Sequence, residues 1–219
     1  MERVVTMLHS IERILSRSAM RHKSSAVTWM GAGFCSAVAV GIAILAVRGT
    51  GERGVGAATA MVAGVAFIFF WLAYAGGALA ALFGSVFEGL SRHRREFGLA
   101  FASALLVHPT LVAWLFRISA QQPLSDVWIV YFVIGAVATY ALALGSVRFL
   151  RDLVKTNYWR IFVIVAMEYI AFLFFRDFVL LSLQEGVGVP LRYIPFAILI
   201  ALGVLLRLTA TVRRWYAYA

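Results

Sequence analysis

Six long runs of apolar residues constrain the fold more than any other feature of this chain. They cover roughly residues 26–47, 56–84, 97–117, 127–145, 158–182 and 193–208. A helix of about 20 residues crosses the hydrocarbon core of a bilayer, and a chain in lipid must satisfy its backbone hydrogen bonds internally. Only 14% of the residues are charged, against about a quarter in soluble domains. We therefore predict an all-α membrane protein, a six-transmembrane-helix bundle over residues 26–219.

The segment before the first apolar run has a different pattern. Within residues 1–25, apolar side chains recur at helical spacing and arginines lie between them; the apolar positions are Val4, Met7, Leu8, Ile11, Ile14 and Leu15. This pattern predicts an amphipathic helix that lies on the cytoplasmic membrane surface. The alternative is a polar leader that only assists insertion. The first apolar run is long enough to span, so we expect no cleavable signal peptide.

The net charge of +10 does not indicate a nucleic-acid partner. The basic residues lie between apolar runs, where they orient the chain in the membrane and contact lipid headgroups. With the N-terminus in the cytoplasm, the cytoplasmic segments hold 15 of the 20 basic residues. The other side keeps Arg48, Arg53, Arg117, Arg176 and Arg192. Both termini are therefore predicted to be cytoplasmic, with the lipid bilayer as the first partner. The single cysteine, Cys35, excludes an intrachain disulfide.

Two titratable residues lie deep within the apolar runs. His108 and Glu168 each come about eleven residues after the predicted cytoplasmic start of their span, so the two should have similar depth. An acid and an imidazole in contact reduce each other's burial cost, which predicts an intramembrane polar pair. The alternative is a protonated Glu168 bonded to a nearby hydroxyl or carbonyl group. Pro109 directly follows His108 and predicts a kink in the third helix.

Arg176 and Asp177 form a charged pair near the predicted outer end of the fifth run. One interpretation is that Arg176 extends its charge to the headgroups while Asp177 caps or pairs at the interface. The other interpretation is that both residues line a cavity open to the outside. The long second run carries Gly76, Gly77 and Gly84, and it is expected to tilt or to extend into the cytoplasm.

Several short motifs occur in a suggestive order. Thr50-Gly51 precedes the second helix, and the third begins with the pattern RRxxGLAFAxxxxxH, which runs from Arg94 to His108. The fourth helix ends in LALGSVRFLRDL, and Trp159 opens the fifth. Over roughly residues 50–182 the chain resembles the ferric reductase-like transmembrane domain family, especially its short bacterial YedZ/MsrQ-type members. The resemblance implies a helical bundle in a bacterial-type cytoplasmic (inner) membrane.

The resemblance also implies a cofactor site. Members of that family hold b-type haem between the third and fifth helices, with histidine ligands from both, and His108 matches the third-helix ligand. The fifth run departs from the family pattern, since residues 158–182 contain no histidine. Ligation by two histidines within this chain is therefore excluded, and Met167 could in principle serve as a second ligand, although nothing in the spacing favours it.

Three function classes follow from these observations. We favour a membrane subunit without haem that has a structural, assembly or partner-binding role. The second class is an electron-transfer subunit with b-type haem on His108, working with a separate redox protein. The third is a proton-linked transporter of a small solute, supported by Glu168. No phosphate-binding glycine loop or nucleophile constellation is evident, so enzymatic activity stays open.

Overall fold

Every regular element in the described part of the chain is helical. The computed structural model describes residues 2–120, 125–146, 156–180 and 193–218, with side chains described from residue 25 to residue 216 within those ranges. The helices are α1 Glu2–Arg48, α2 Glu52–Phe83, α3 Glu88–Arg92, α4 Arg94–Leu105, α5 Val107–Ile118, α6 Asp126–Gly145, α7 Thr156–Phe175 and α8 Ile194–Tyr218. A 3-10 turn, Gly84–Phe87, follows α2, and a π-helical turn, Arg176–Leu180, follows α7.

Five helical segments of the described residues are long and apolar enough to cross a membrane: Ser25–Arg48, Glu52–Arg92, Arg94–Ile118, Asp126–Gly145 and Ile194–Tyr216. This confirms the coarse prediction of an all-α protein with several membrane-compatible helices. The predicted fifth span coincides with α7 and its π-helical turn, and its last two residues, 181–182, lie outside the described residues. The count of six spans therefore stays a prediction.

The N-terminal helix continues without a break from Glu2 to Arg48. At about 1.5 Å per residue its 47 residues reach about 70 Å, more than twice the hydrocarbon thickness. The boundary predicted at residue 25 is thus not a break in secondary structure. The amphipathic face predicted for residues 1–25 falls on side chains that are almost all outside the described set, so its interfacial position stays a prediction.

Helix α2 occupies the centre of the bundle, where it contacts α1, α3, α4, α5 and α8. It ends at Gly84, whose φ of +73° lies in the left-handed region that residues with a Cβ rarely adopt. The 3-10 turn and α3 then carry the helical segment on to Arg92, 41 residues in all and about 60 Å long. This length exceeds the bilayer thickness, and the tilt or cytoplasmic extension expected of the second span stays a prediction.

The third span consists of two helices, α4 and α5, separated at Leu106. Pro109 has no N–H to donate, so the carbonyl of Leu105 cannot receive the usual i→i−4 hydrogen bond at this point. The Leu106 N–H bonds instead to the Ser103 carbonyl at 3.2 Å, a tighter i→i−3 contact. The interruption predicted from Pro109 is therefore present, one turn before the proline.

Aromatic side chains fill the space between α2, α4 and α7. The ring of Phe70 on α2 lies 5.3 Å from the ring of Phe101 on α4 and 5.3 Å from that of Phe174 on α7. The rings of Phe101 and Phe174 are themselves 6.1 Å apart. Phe67, which is fully buried, packs edge-on against Phe174. These contacts form a continuous aromatic core between the predicted second, third and fifth spans.

Candidate functional site

Glu168 is the centre of a polar cluster that joins three helices. Its Oε2 accepts a hydrogen bond from the Tyr74 hydroxyl at 2.6 Å, which links α7 to α2. Its Oε1 lies 2.7 Å from Nη2 of Arg207, which links α7 to α8. Both carboxylate oxygens are therefore engaged, one by a neutral donor and one by a cation. We call Tyr74, Glu168 and Arg207 the polar cluster.

The guanidinium of Arg207 has two further contacts, both with Tyr74. Its central carbon lies 4.4 Å from the centre of the Tyr74 ring, within the range of a cation–π interaction. Its Nη1 points at the Tyr74 carbonyl at 3.4 Å. The side chain of Arg207 is 21% exposed and that of Glu168 is 46% exposed. The pair thus lies at the bundle surface, and its exposed part faces lipid or headgroups if α7 crosses the membrane.

His108 does not belong to this cluster. Its Nδ1 lies 3.3 Å from the backbone carbonyl of Thr59 on α2. Thr59 and Tyr74 are fifteen residues apart on that helix, which corresponds to about 22 Å along its axis. The predicted pairing of His108 with Glu168 is therefore not the one that the structure forms.

The predicted pairing assumed that the third and fifth spans begin at the same depth in the membrane. Glu168 instead contacts α2 at Tyr74, which lies nearer the C-terminal end of α2 than Thr59, the residue that His108 contacts. The alternative stated from sequence was a protonated Glu168 bonded to a hydroxyl or carbonyl group, and its hydroxyl partner agrees with the Tyr74 contact. It did not include Arg207, which the sequence placed among the cytoplasmic charges.

The contact of His108 indicates the role of one ring nitrogen. A carbonyl oxygen only accepts hydrogen bonds, so Nδ1 is the donor in this contact, and in the neutral imidazole Nε2 then keeps its lone pair. A backbone carbonyl on one ring nitrogen is also the arrangement that orients histidines whose other nitrogen binds a metal. The chemistry of His108 alone thus permits ligation through Nε2.

Met167 does not fit as a second haem ligand opposite His108. It directly precedes Glu168, so it lies near the level of Tyr74 and far from His108 along α2. Two ligands of one iron must face each other across it, which His108 and Met167 do not. The aromatic cluster of Phe70, Phe101 and Phe174 also lies near Tyr74, and so it does not occupy the space beside His108.

Arg176 and Asp177 bond to each other, with Nη1 of the arginine 2.8 Å from Oδ1 of the aspartate. The Arg176 guanidinium also lies over the ring of Trp128 on α6, 3.8 Å from its centre. Arg176 is buried rather than extended towards the headgroups. The predicted charged pair is therefore present, and it connects the π-helical turn to α6.

Tyr74, Arg207 and Arg94 are the functional candidates that the sequence did not single out. Nε of Arg94 donates to the Ala73 carbonyl at 2.9 Å, one residue before Tyr74 on α2. Arg207 falls within the last apolar run and Tyr74 within the second, and a polar residue inside an apolar run is a candidate for a contact between helices. What the sequence lacks is the helix packing that brings them to Glu168.

Comparison of the chain with family models, with curated proteins and with solved structures finds no match.

Proposed function

We propose that this chain is a haem-free membrane subunit with a structural or assembly role beside another membrane protein. In this proposal it has six spans, both termini lie in the cytoplasm, and it resides in a bacterial-type cytoplasmic membrane. The observation that supports the proposal is that Glu168, next to Met167 on α7, contacts α2 at Tyr74, fifteen residues from Thr59, where His108 contacts the same helix.

The polar cluster supports the same conclusion. The charge of Glu168 is balanced by Arg207, and the Tyr74 hydroxyl occupies the other carboxylate oxygen. Satisfied polar contacts between helices hold a bundle together in lipid, where an unpaired charge is costly. The arrangement is therefore suited to fixing α2, α7 and α8 against one another. It is less suited to a transport cycle, in which Glu168 would have to exchange its partners.

An electron-transfer subunit is the second candidate, and His108 is the residue that favours it. With the proton on Nδ1, its Nε2 has the lone pair that an iron ligand needs. The second ligand would have to come from another chain.

The absorption spectrum of the protein purified from haem-producing cells tests the choice between the two candidates. We expect no stoichiometric Soret band in the wild type. A Soret band that disappears in His108→Ala but persists in His93→Ala would contradict the proposal and support electron transfer. His93 is the matched control because it is an exposed histidine outside the apolar part of the third span.

Photo-crosslinking in intact membranes tests the partner-binding role. Helix α6 leaves most of its surface exposed, and Val137 is 62% exposed on it, whereas Ala166 on α7 is buried. A photo-reactive residue at position 137 should give a discrete adduct with a second polypeptide, and one at position 166 should not. Absence of any adduct from position 137 and from equally exposed positions on α1 and α8 would contradict this role.

A further inference from the structure

Arginines gather at one end of the bundle, where α4 begins and α8 ends. Arg94 stands at the start of α4, and Arg213 and Arg214 lie in the last turns of α8. Nη1 of Arg213 points at the carbonyls of Ala81 and Leu82 on α2, each at 3.4 Å. Since Arg94 also bonds to α2, through Ala73, these arginines lie along the same end of that helix. We call this region the basic end.

The positive charge of the basic end is not neutralised by neighbouring acids. Glu168 is paired with Arg207, Glu88 with Arg92 at 3.5 Å, and the buried Glu96 lies 3.9 Å from His93. Within the described ranges, no carboxylate forms an ion pair with Arg94, Arg213 or Arg214. Like charges at one end of a bundle repel one another, and an anion bound to these arginines would relieve that repulsion.

Exposed aromatic and apolar side chains surround the basic end. Trp215 and Tyr216 follow the arginines directly and are 76% and 74% exposed, with ring centres 6.4 Å apart. Phe83 and Val86, at the end of α2 and in the turn after it, are 58% and 82% exposed. Tryptophan and tyrosine favour the level of the lipid headgroups, where one part of the ring is apolar and another is wet. The basic end thus presents positive charge and apolar surface together.

We propose that Arg94, Arg213 and Arg214 form a binding site for the phosphate headgroup of an anionic phospholipid. Arginine suits this ligand because its planar guanidinium donates two parallel hydrogen bonds to phosphate oxygens. A free phosphate ion would accept the same hydrogen bonds from the arginines, but it would make no favourable apolar contact with the exposed side chains of Trp215 and Phe83. The lipid is therefore the ligand, with its acyl chains along the apolar surface and its phosphate between the guanidinium groups.

Native mass spectrometry of the full chain in mild detergent tests the site, with phosphatidylglycerol and phosphatidylcholine as competing probes. We expect phosphatidylglycerol to be retained preferentially. The Arg213→Gln/Arg214→Gln double variant should bind it roughly 30-fold more weakly, since each arginine at an anionic lipid surface contributes a factor of about five to six. Arg214→Gln alone should weaken the binding of phosphatidylglycerol about five- to sixfold. This variant keeps the contact of Arg213 with α2, so it should fold as the wild type does.

The control is Arg48→Gln/Arg53→Gln, which removes the same charge from two exposed arginines, one the last residue of α1 and the other the second residue of α2. This control should bind phosphatidylglycerol as the wild type does. Equal weakening in the control, or unchanged binding in Arg213→Gln/Arg214→Gln, would overturn the site. Displacement of the lipid by inorganic phosphate at equal concentration would also overturn it and assign the arginines to the free ion.

Discussion

The carboxylate of Glu168 lies 2.7 Å from the guanidinium of Arg207, and this ion pair joins α7 to α8. The Tyr74 hydroxyl holds the second carboxylate oxygen at 2.6 Å and adds α2 to the connection. A charged group in a bundle within lipid needs such partners, because an ionised side chain without them is costly there. The polar cluster of Tyr74, Glu168 and Arg207 therefore specifies how α2, α7 and α8 are rotated relative to one another.

A double-mutant cycle with Glu168→Gln and Arg207→Gln should detect this pair. Each single substitution leaves the other charge without its ionic partner, so the double variant should lose less than the sum of the two. We expect a coupling free energy of about 0.5–3 kcal/mol, measured by unfolding in a denaturing detergent. Additive losses would contradict the ion pair in the folded protein.

The same cycle with Glu168→Gln and His108→Ala is the matched control. The partners of these two residues on α2 are fifteen positions apart, so direct coupling is not expected. Mutations more than about 7–10 Å apart usually add within about 0.5 kcal/mol. A larger coupling between His108 and Glu168 would contradict the helix register described here.

Features that depend on residues close together in the chain could be predicted from the sequence. Hydropathy predicted the membrane-compatible helices, and Pro109 predicted the interruption of the third span. The partner of Glu168 depends on which helices are neighbours and on their vertical register. Arg207 was counted as a cytoplasmic charge because it lies at the end of an apolar run, and no local pattern connects it to α7.

The candidate cofactor site also depends on contacts between helices, which local patterns in the sequence do not predict. The absence of histidine from residues 158–182 was evident from the sequence, and it led to the expectation of a protein without haem. The level of Met167 was not evident, because it depends on the contact of the neighbouring Glu168 with Tyr74 on α2. Only that helix register shows that Met167 lies far from His108, which contacts Thr59.

Tyr74→Phe should destabilise the bundle while leaving its aromatic contacts in place. The substitution removes the hydroxyl donor to Glu168 but keeps the ring that stacks on Phe70 and faces Arg207. We expect a loss of about 1–2 kcal/mol in the free energy of unfolding, since the acceptor is charged. Tyr169→Phe is the control, because its hydroxyl donates to the neutral carbonyl of Tyr131 and should lose only about 0.5 kcal/mol. Equal losses would argue against a charged Glu168.

Gly33→Ala should weaken the packing of α1 against α4. A Cβ at this position would overlap the backbone carbonyl of Ala100, and backbone atoms cannot move aside as a flexible side chain can. Overpacking of this kind costs about 1–3 kcal/mol, which thermal unfolding in detergent would show. Gly31→Ala is the control on the same helix, with nothing within 4 Å of the new Cβ, and it should be neutral or slightly stabilising. If both variants unfold at the same temperature, α1 does not approach α4 at Gly33.

The orientation of the bundle is tested by cysteine labelling in intact cells, in a Cys35→Ala background. Gly51 and Gly89 are exposed, and nothing lies within 4 Å of a Cβ at either position, so a cysteine fits both. The excess of arginine and lysine on the side of residues 92–95 predicts that this side is cytoplasmic. A membrane-impermeant maleimide should therefore label Gly51→Cys from outside, and it should label Gly89→Cys only after the membrane is permeabilised. Labelling of Gly89→Cys alone in intact cells would reverse the predicted orientation and place the basic end on the outer surface.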